Sequence, residues 1–304
     1  MKFGKLQDIS KVDFQLPPNP QNTIQCLQKL PRSTEQHFYI GCTGWSMKEW
    51  VGTVYPKGTK TKDYLRHYGK QFNTIELNTT HYRIPKEETI QKWFDQTPED
   101  FRFCPKIPQV ISHSKDLGFS NGQLPLFCET ISGLREKLGC CFIQLPPYFG
   151  ANRVLDLQQF LNRWPNSLPI AIEVRHESWF STSSSLDVLQ QLLAEKGASL
   201  VITDVAGRRD VLHMQLSSAR TMIRFVGNAL HPTDYSRIDE WVARLKDWLD
   251  KGLQEVYFFP HEPDNLLAPS LAAYLLEQIE TNLKINVRGP RLKDSEEGQQ
   301  MSLF

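Results

Sequence analysis

The 304-residue chain carries its most informative chemistry at 72–83, FNTIELNTTHYR, where Glu76 and Asn78 alternate with Ile75 and Leu77. Alternate side chains of a strand point to opposite faces, so a carboxylate and an amide share the face opposite the apolar one. That face runs at once into Thr79, Thr80, His81, Tyr82 and Arg83. Strand ends leading into polar loops are where barrel and open α/β enzymes place chemistry. The design recurs: Thr43 and Trp45, Lys106, Gln144, Glu173 with Arg175, Asp204, Arg224, and His261 with Glu262 each follow or end an apolar run.

Three chemistries fit this set. Glu76 and Glu173, with Asp204 as a third carboxylate, are candidate catalytic residues, the paired glutamates acting as general acid and base. Glu76, Glu173 and Asp204 with His113 or His261 would instead hold a divalent metal, although no HxH, HExxH or DxD spacing supports it. Lys106, Arg175 and Arg224 would clamp a phosphate or carboxylate, arginine offering two parallel donors. The anion clamp is the best supported, because three cations in one enclosed mouth are costly to satisfy otherwise. Trp45, Asn78, Tyr82, Arg83, His113 and Gln144 complete the expected substrate contacts. The aromatics Trp45, Trp50, Tyr55, Tyr82, Tyr148 and Trp179 either stack on a sugar or base or plug the strand ends.

Positioning these residues requires a regular scaffold. Strands are expected at 37–42, 74–78, 101–107, 140–145, 169–175, 199–204, 221–225 and 255–260. Helices are expected at 63–72, 86–96, 127–138, 155–164, 186–196, 238–249 and 266–283, with none after the sixth strand. Gly139, Gly197 and Gly252 fall where left-handed caps close helices. Strand–helix alternation implies parallel strands with right-handed crossovers, and eight units predict a closed (β/α)8 TIM-type barrel at 38–283. A doubly wound open sheet is the alternative, but Gly41-Cys42-Thr43-Gly44 lacks the spacing of a dinucleotide fingerprint. Residues 1–37 read as an N-terminal extension, with prolines at 17, 18 and 20 and a short helix at 23–30, and 284–304 as a polar tail. The loops at 43–62, 108–126 and 205–220 are long enough to be lids or site loops.

A formal net charge of +1 argues against a protein that coats nucleic acid, while leaving room for a local basic groove. No apolar run reaches membrane-spanning length and the start lacks a signal-peptide core, so no membrane partner and a cytoplasmic location are expected. The six cysteines contain no CxxC pair and read as reduced thiols.

Several blocks resemble the YecE-like family, a family of unassigned function. They are Gly41-Cys42-Thr43-Gly44-Trp45 with Trp50, Gly52 and Tyr55-Pro56; Phe72 to Asn78 with Tyr82-Arg83; and Trp93, Thr97-Pro98, Phe101, Phe103 and Lys106 with Ile111-Ser112-His113. Further blocks are Phe142-Ile143-Gln144-Leu145-Pro146-Pro147 and Glu173-Val174-Arg175-His176 with Ser178-Trp179-Phe180. The resemblance spans about residues 40–283 and implies a TIM-type barrel without an activity. The chain departs from the family pattern twice. Arg224-Phe225-Val226-Gly227 lacks an expected histidine, and Pro260-His261-Glu262-Pro263 stands where an asparagine-rich turn is usual.

Gln300, Met301, Ser302, Leu303 and Phe304 resemble the pentapeptide by which bacterial repair and replication proteins hold the sliding clamp. The glutamine would anchor through its amide while Leu303 and Phe304 fill an apolar pocket. Lys284, Arg288, Arg291 and Lys293 form a small basic patch upstream that would suit nearby DNA. The expected function is a hydrolase or phosphodiesterase on a phosphate-bearing substrate, nucleic acid included. In it Glu76 or Glu173 activates water and Lys106, Arg175 and Arg224 hold phosphate. A sugar-phosphate isomerase or epimerase and a non-catalytic nucleic-acid-binding accessory protein are the alternatives.

Overall fold

The computed structural model describes residues 4–33 and 35–292. Eight strands run through them: β1 His37–Ile40, β2 Thr74–Leu77, β3 Arg102–Pro105, β4 Cys141–Gln144, β5 Ile170–Glu173, β6 Ser199–Asp204, β7 Arg220–Val226 and β8 Glu255–His261. Nine α-helices accompany them among the described residues: α1 Gln21–Lys29, α2 Tyr64–Gln71, α3 Glu87–Gln96, α4 Gln109–Ser112, α5 Gln123–Ser132, α6 Val154–Arg163, α7 Ser183–Glu195, α8 Pro232–Asp250 and α9 Ala268–Asn282. The segment after β6 forms only a 3-10 turn, Arg209–Val211, in line with the missing helix signal there.

All ladders are parallel, in a six-stranded sheet ordered β1-β8-β7-β6-β5-β4 and a separate β2-β3 pair. The fold is therefore α/β with a mostly parallel sheet. Discrete bonds span the two breaks between these sheets. Lys106, just past β3, bridges Phe142 of β4, and Ile107 N–H donates to the Phe142 carbonyl at 2.8 Å. Between β1 and β2, Glu76 N–H donates to Cys42 O at 3.0 Å. Alongside, the Asn73 side chain stands in for a ladder, accepting from Ile40 N–H at 2.8 Å and donating to Phe38 O at 2.9 Å. Gly41 permits this approach, since a Cβ there would lie 2.2 Å from the Thr74 carbonyl oxygen.

Strand parity sorts side chains into two populations. Tyr39, Cys104, Phe142, Ala171, Val201, Met222, Tyr257 and Phe259, from seven of the strands, cluster on one shared face. The intervening Ile75, Ile202, Ile223, Phe225 and Phe258 pack outward, together with the helices, in the largest core. The apolar stripe of α8 (Ile238, Trp241, Val242, Leu245, Trp248, Leu249) recurs at three- and four-residue steps, which seats that helix on the strands. The N-terminal segment is docked as well. Leu27 of α1 lies in the core, Thr23 Oγ1 donates to Met214 O at 2.8 Å, and Arg244 donates to Pro17 O at 2.9 Å. All six cysteines are free thiols. Among the described residues no helix is long and apolar enough to cross a membrane.

Candidate functional site

The carboxyl ends of the strands gather one continuous polar network around Arg224 of β7. Its guanidinium clasps Glu76 of β2 with two bonds, Nε to Oε2 at 2.9 Å and Nη2 to Oε1 at 2.8 Å. Nη1 reaches Glu173 of β5 at 2.8 Å. Glu173 also accepts from Arg175 Nε at 2.8 Å and from Gln144 Nε2 at 2.9 Å. The Gln144 carbonyl in turn accepts from Lys106 Nζ at 3.0 Å. Asn78 Nδ2 donates to Glu76 Oε1, and His261 Nε2 contacts Glu76 Oε2, both at 2.9 Å. Parity explains the convergence: Glu173, Arg224 and His261 lie two residues past the shared-face Ala171, Met222 and Phe259 on their strands, and Glu76 is in register with the shared-face Cys104.

Burial works against the charge on Glu76, yet Arg224 and His261 hold it well below the usual carboxylate range. Burial likewise opposes Glu173, and Arg175 and Arg224 outweigh it, bringing the group to about 2. Both carboxylates are ionised and bonded on both oxygens, so they serve as anchors for the cations. Burial, reinforced by Arg224, pushes the Lys106 ammonium down to about 8. Burial also lowers His261, despite Glu76. Among the described residues, Arg175 and Arg224 engage Glu173 and Glu76, while Lys106 meets an amide oxygen rather than a carboxylate.

The network forms the wall of a cleft of about 360 Å³, reached also by Thr43, His81, Tyr82 and Glu262. His81 is fixed in one tautomer. Its Nδ1 lies 3.0 Å from the Ile107 carbonyl, which only accepts, so the proton sits on Nδ1 and Nε2 keeps its lone pair. Burial and the neighbouring Lys106 hold the ring neutral, down to about 4. Glu262, just past β8, is 4% exposed. Its Oε2 accepts from Ala229 N–H at 2.9 Å, while Oε1 is buried with no hydrogen-bond partner among the described residues. Burial is the main reason its carboxyl rises to about 7. Gly227 makes room for it, since a Cβ there would stand 2.4 Å from Oε1. Ala229 and Leu230 both adopt left-handed backbone (φ 59° and 58°) in the loop that delivers the donor. The two loops that depart from the family pattern are thus in direct contact.

Other expected site residues lie elsewhere. Asp204 shares the outward parity of Ile202 and is bound to Arg209, to Arg237 Nη2 at 2.8 Å and to Trp241 Nε1 at 2.9 Å. The proposed metal set of Glu76, Glu173 and Asp204 with His113 or His261 does not form. Among the described residues no three metal-ligating side chains converge, and the oxygens of Glu76 and Glu173 are taken by cationic and amide donors. Trp45 is half-buried and packs edge-on to Trp93 with ring centres 5.8 Å apart, while Arg83 is exposed beyond Tyr82. His113 stands one ring outward from the cleft, 5.9 Å from His81. Residues 300–304 lie outside the described residues. Sequence reasoning placed Glu262 at a strand end but gave it no role, and it passed over His81. The adjoining titratable pair His261-Glu262 was the available signal for the first.

The profile of the family described as "Protein of unknown function DUF72" matches residues 39–295. The chain belongs to the DUF72 family. It is 32% identical over 263 residues to the UPF0759 protein YecE of Escherichia coli K12, covering 81% of this chain and 93% of that protein. It is 27% identical over 169 residues to the UPF0759 protein YunF of Bacillus subtilis, covering 52% of this chain and 57% of that one. A DUF72 family protein from Enterococcus faecalis V583 is similar in fold. Its crystal structures at 2.52 and 3.10 Å give TM-scores of 0.63 and 0.61 at 21% and 23% identity, covering 84% of this chain and all of that one. No activity follows from DUF72 membership, so the site's own chemistry carries the functional reading.

Proposed function

We propose that this DUF72 protein is an enzyme that hydrolyses a small phosphate-bearing ester in the cleft at the strand ends. The carrying observation is Lys106, a buried cation at the cleft wall whose placement favours an anion at the mouth. Among the described residues Lys106 Nζ donates to an amide oxygen, with no carboxylate in salt-bridge range. The cleft volume of about 360 Å³ suits a small molecule rather than duplex nucleic acid. Glu262 replaces Glu76 and Glu173 as the base, because its pKa of about 7 fits proton transfer near neutrality. In this scheme Glu262 takes a proton from water as the new P–O bond forms. The P–O bond to the leaving group breaks, and its oxygen takes a proton from the Lys106 ammonium. Arg175 and Arg224 steady the phosphoryl charge. No step is routed through a metal.

A sugar-phosphate isomerase ranks second, since the tautomer of His81 points a lone pair rather than a donor toward a substrate carbonyl. For the scaffold we propose closure into a (β/α)8 barrel, supported by the bonds across both sheet breaks and by the shared-face cluster. For residues 300–304 we propose binding to a bacterial sliding clamp, tested by titrating a 284–304 peptide against clamp protein. The enzymatic reading is tested by inorganic phosphate titration and by turnover on a panel of phosphomonoesters and diesters. Phosphate should bind, weakening at least tenfold in Lys106→Gln, and Glu262→Gln should keep binding while losing turnover. Phosphate that does not bind, or binds Lys106→Gln unchanged, refutes the anion site.

A further inference from the structure

Six aromatic residues near the strand ends divide into two groups. Trp50, Tyr55 and Trp179 are 2%, 1% and 1% exposed and belong to the cores, and Trp45 packs beside Trp93. Tyr82 and Tyr148 are 79% and 61% exposed. Both belong to one strip of rings running out from the cleft. Tyr82 meets His81 edge-on at 5.6 Å, His81 meets His113 at 5.9 Å, and His113 meets Tyr148 at 6.3 Å. Tyr148 is held there, its hydroxyl donating to the His113 carbonyl at 3.2 Å. Tyr82 and His81 line the cleft itself, so the strip starts where the cations end. An exposed ring forfeits the burial that rewards aromatic side chains elsewhere in this fold, and a flat partner would restore it.

We infer that the ligand of this cleft is a nucleotide, its phosphate at Lys106 and its base stacked on the Tyr82–Tyr148 rim. The inference rests on the anion-site reading above and adds the ring. The cation cluster selects the charged end, and the tyrosine faces select a planar group whatever its hydrogen-bonding edge. Between them, the lone pair on His81 Nε2 can accept from a ribose hydroxyl or an exocyclic amine. A free mononucleotide and the terminal nucleotide of a single strand offer the same chemistry.

The test is calorimetric titration of the full chain with inorganic phosphate, ribose 5-phosphate, adenosine 5′-monophosphate and a 5′-phosphorylated oligothymidylate. Adenosine monophosphate should bind at least tenfold more tightly than ribose 5-phosphate. A Tyr82→Ala, Tyr148→Ala double variant should abolish that difference and leave phosphate affinity unchanged, and Tyr82→Phe should retain it. An oligothymidylate binding more tightly than adenosine monophosphate supports the inference with a strand terminus as the source, and the reverse supports it with a free nucleotide. Equal affinity for ribose 5-phosphate and adenosine monophosphate, with phosphate still bound through Lys106, overturns the ring subsite alone. Failure of all four ligands to bind overturns the ring subsite and the anion reading together.

Discussion

Two buried arginines, Arg224 and Arg237, each 1% exposed, each hold two carboxylates, and they play opposite parts. Arg237 of α8 binds Asp204 and Asp234, Arg209 adds a second cation on Asp204, and the charges balance. Its guanidinium lies 4.1 Å from the Phe225 ring centre and 4.9 Å from that of Phe14, with Trp241 donating to Asp204 at 2.9 Å. That cluster is closed, neutral and sandwiched between helix, strand and N-terminal segment. Around Arg224, among the described residues, Lys106 meets an amide oxygen and no carboxylate, and it stands beside an open cleft. A buried ion pair is therefore weak evidence of a site. A residual charge with access to solvent is stronger evidence, because folding has not neutralised it.

Removing either arginine takes a buried cationic partner from two buried carboxylates, which typically costs about 3–5 kcal/mol. Arg237→Met should lower urea stability on that scale and leave phosphate affinity intact in the folded fraction. Arg224→Met should lower both. If Arg237→Met also abolished phosphate binding, the division between the clusters would fail.

A rate effect of about a hundredfold or more is expected for Glu262→Gln, the usual scale for losing a general base. The wild-type rate should rise as Glu262 ionises near pH 7 and fall as Lys106 loses its proton near pH 8. Glu262→Gln should erase the acidic limb. The same group marks stability. Its folded pKa is raised, so its contribution is full below the ordinary carboxylate range and is lost as pH rises through about 7. Urea midpoints of wild type and Glu262→Gln across pH 4–8 would reveal it, and parallel curves would contradict it.

Lys106→Gln sharpens the contrast by doing little to stability. Folding disfavours the Lys106 charge, bringing it down to about 8, so its removal at neutral pH should leave the urea midpoint unchanged or raised. A loss like that of Arg237→Met would make Lys106 structural. A small stability effect is also expected for Gly227→Ala. Its Cβ would meet Glu262 Oε1 at 2.4 Å, the end of a flexible side chain that can move away. The unfolding free energy should change by under about 1 kcal/mol, while the acidic limb of the rate profile moves toward the ordinary carboxylate range.

Much of this was legible along the chain. Period-two alternation at Ile75, Glu76, Leu77 and Asn78 already put Glu76 on the face opposite the apolar one, and that face carries it to Arg224. The strand and helix positions followed from the same periodicities, with boundaries shifting by a few residues, as where α8 begins at Pro232 rather than 238. Asp204 was misleading because β6 is apolar on both faces. With Val201 and Ile202 both buried, the sequence carries no signal for which parity faces the cleft.

By itself, then, the sequence determined the parallel α/β alternation, the absence of a helix after β6, the DUF72 membership, and the identity of the cations and carboxylates at the strand ends. Those are set by short-range periodicity and composition. Only the tertiary structure decided which charges cancel. Pairing Arg224 with Glu76 joins residues 148 positions apart, and Arg237 claims Asp204 from 33 positions away. It also decided that Glu262 is the raised carboxyl and that Tyr82 and Tyr148 stay exposed while Trp50 and Tyr55 are buried. Charge balance and burial depend on distances in space, which no local pattern encodes.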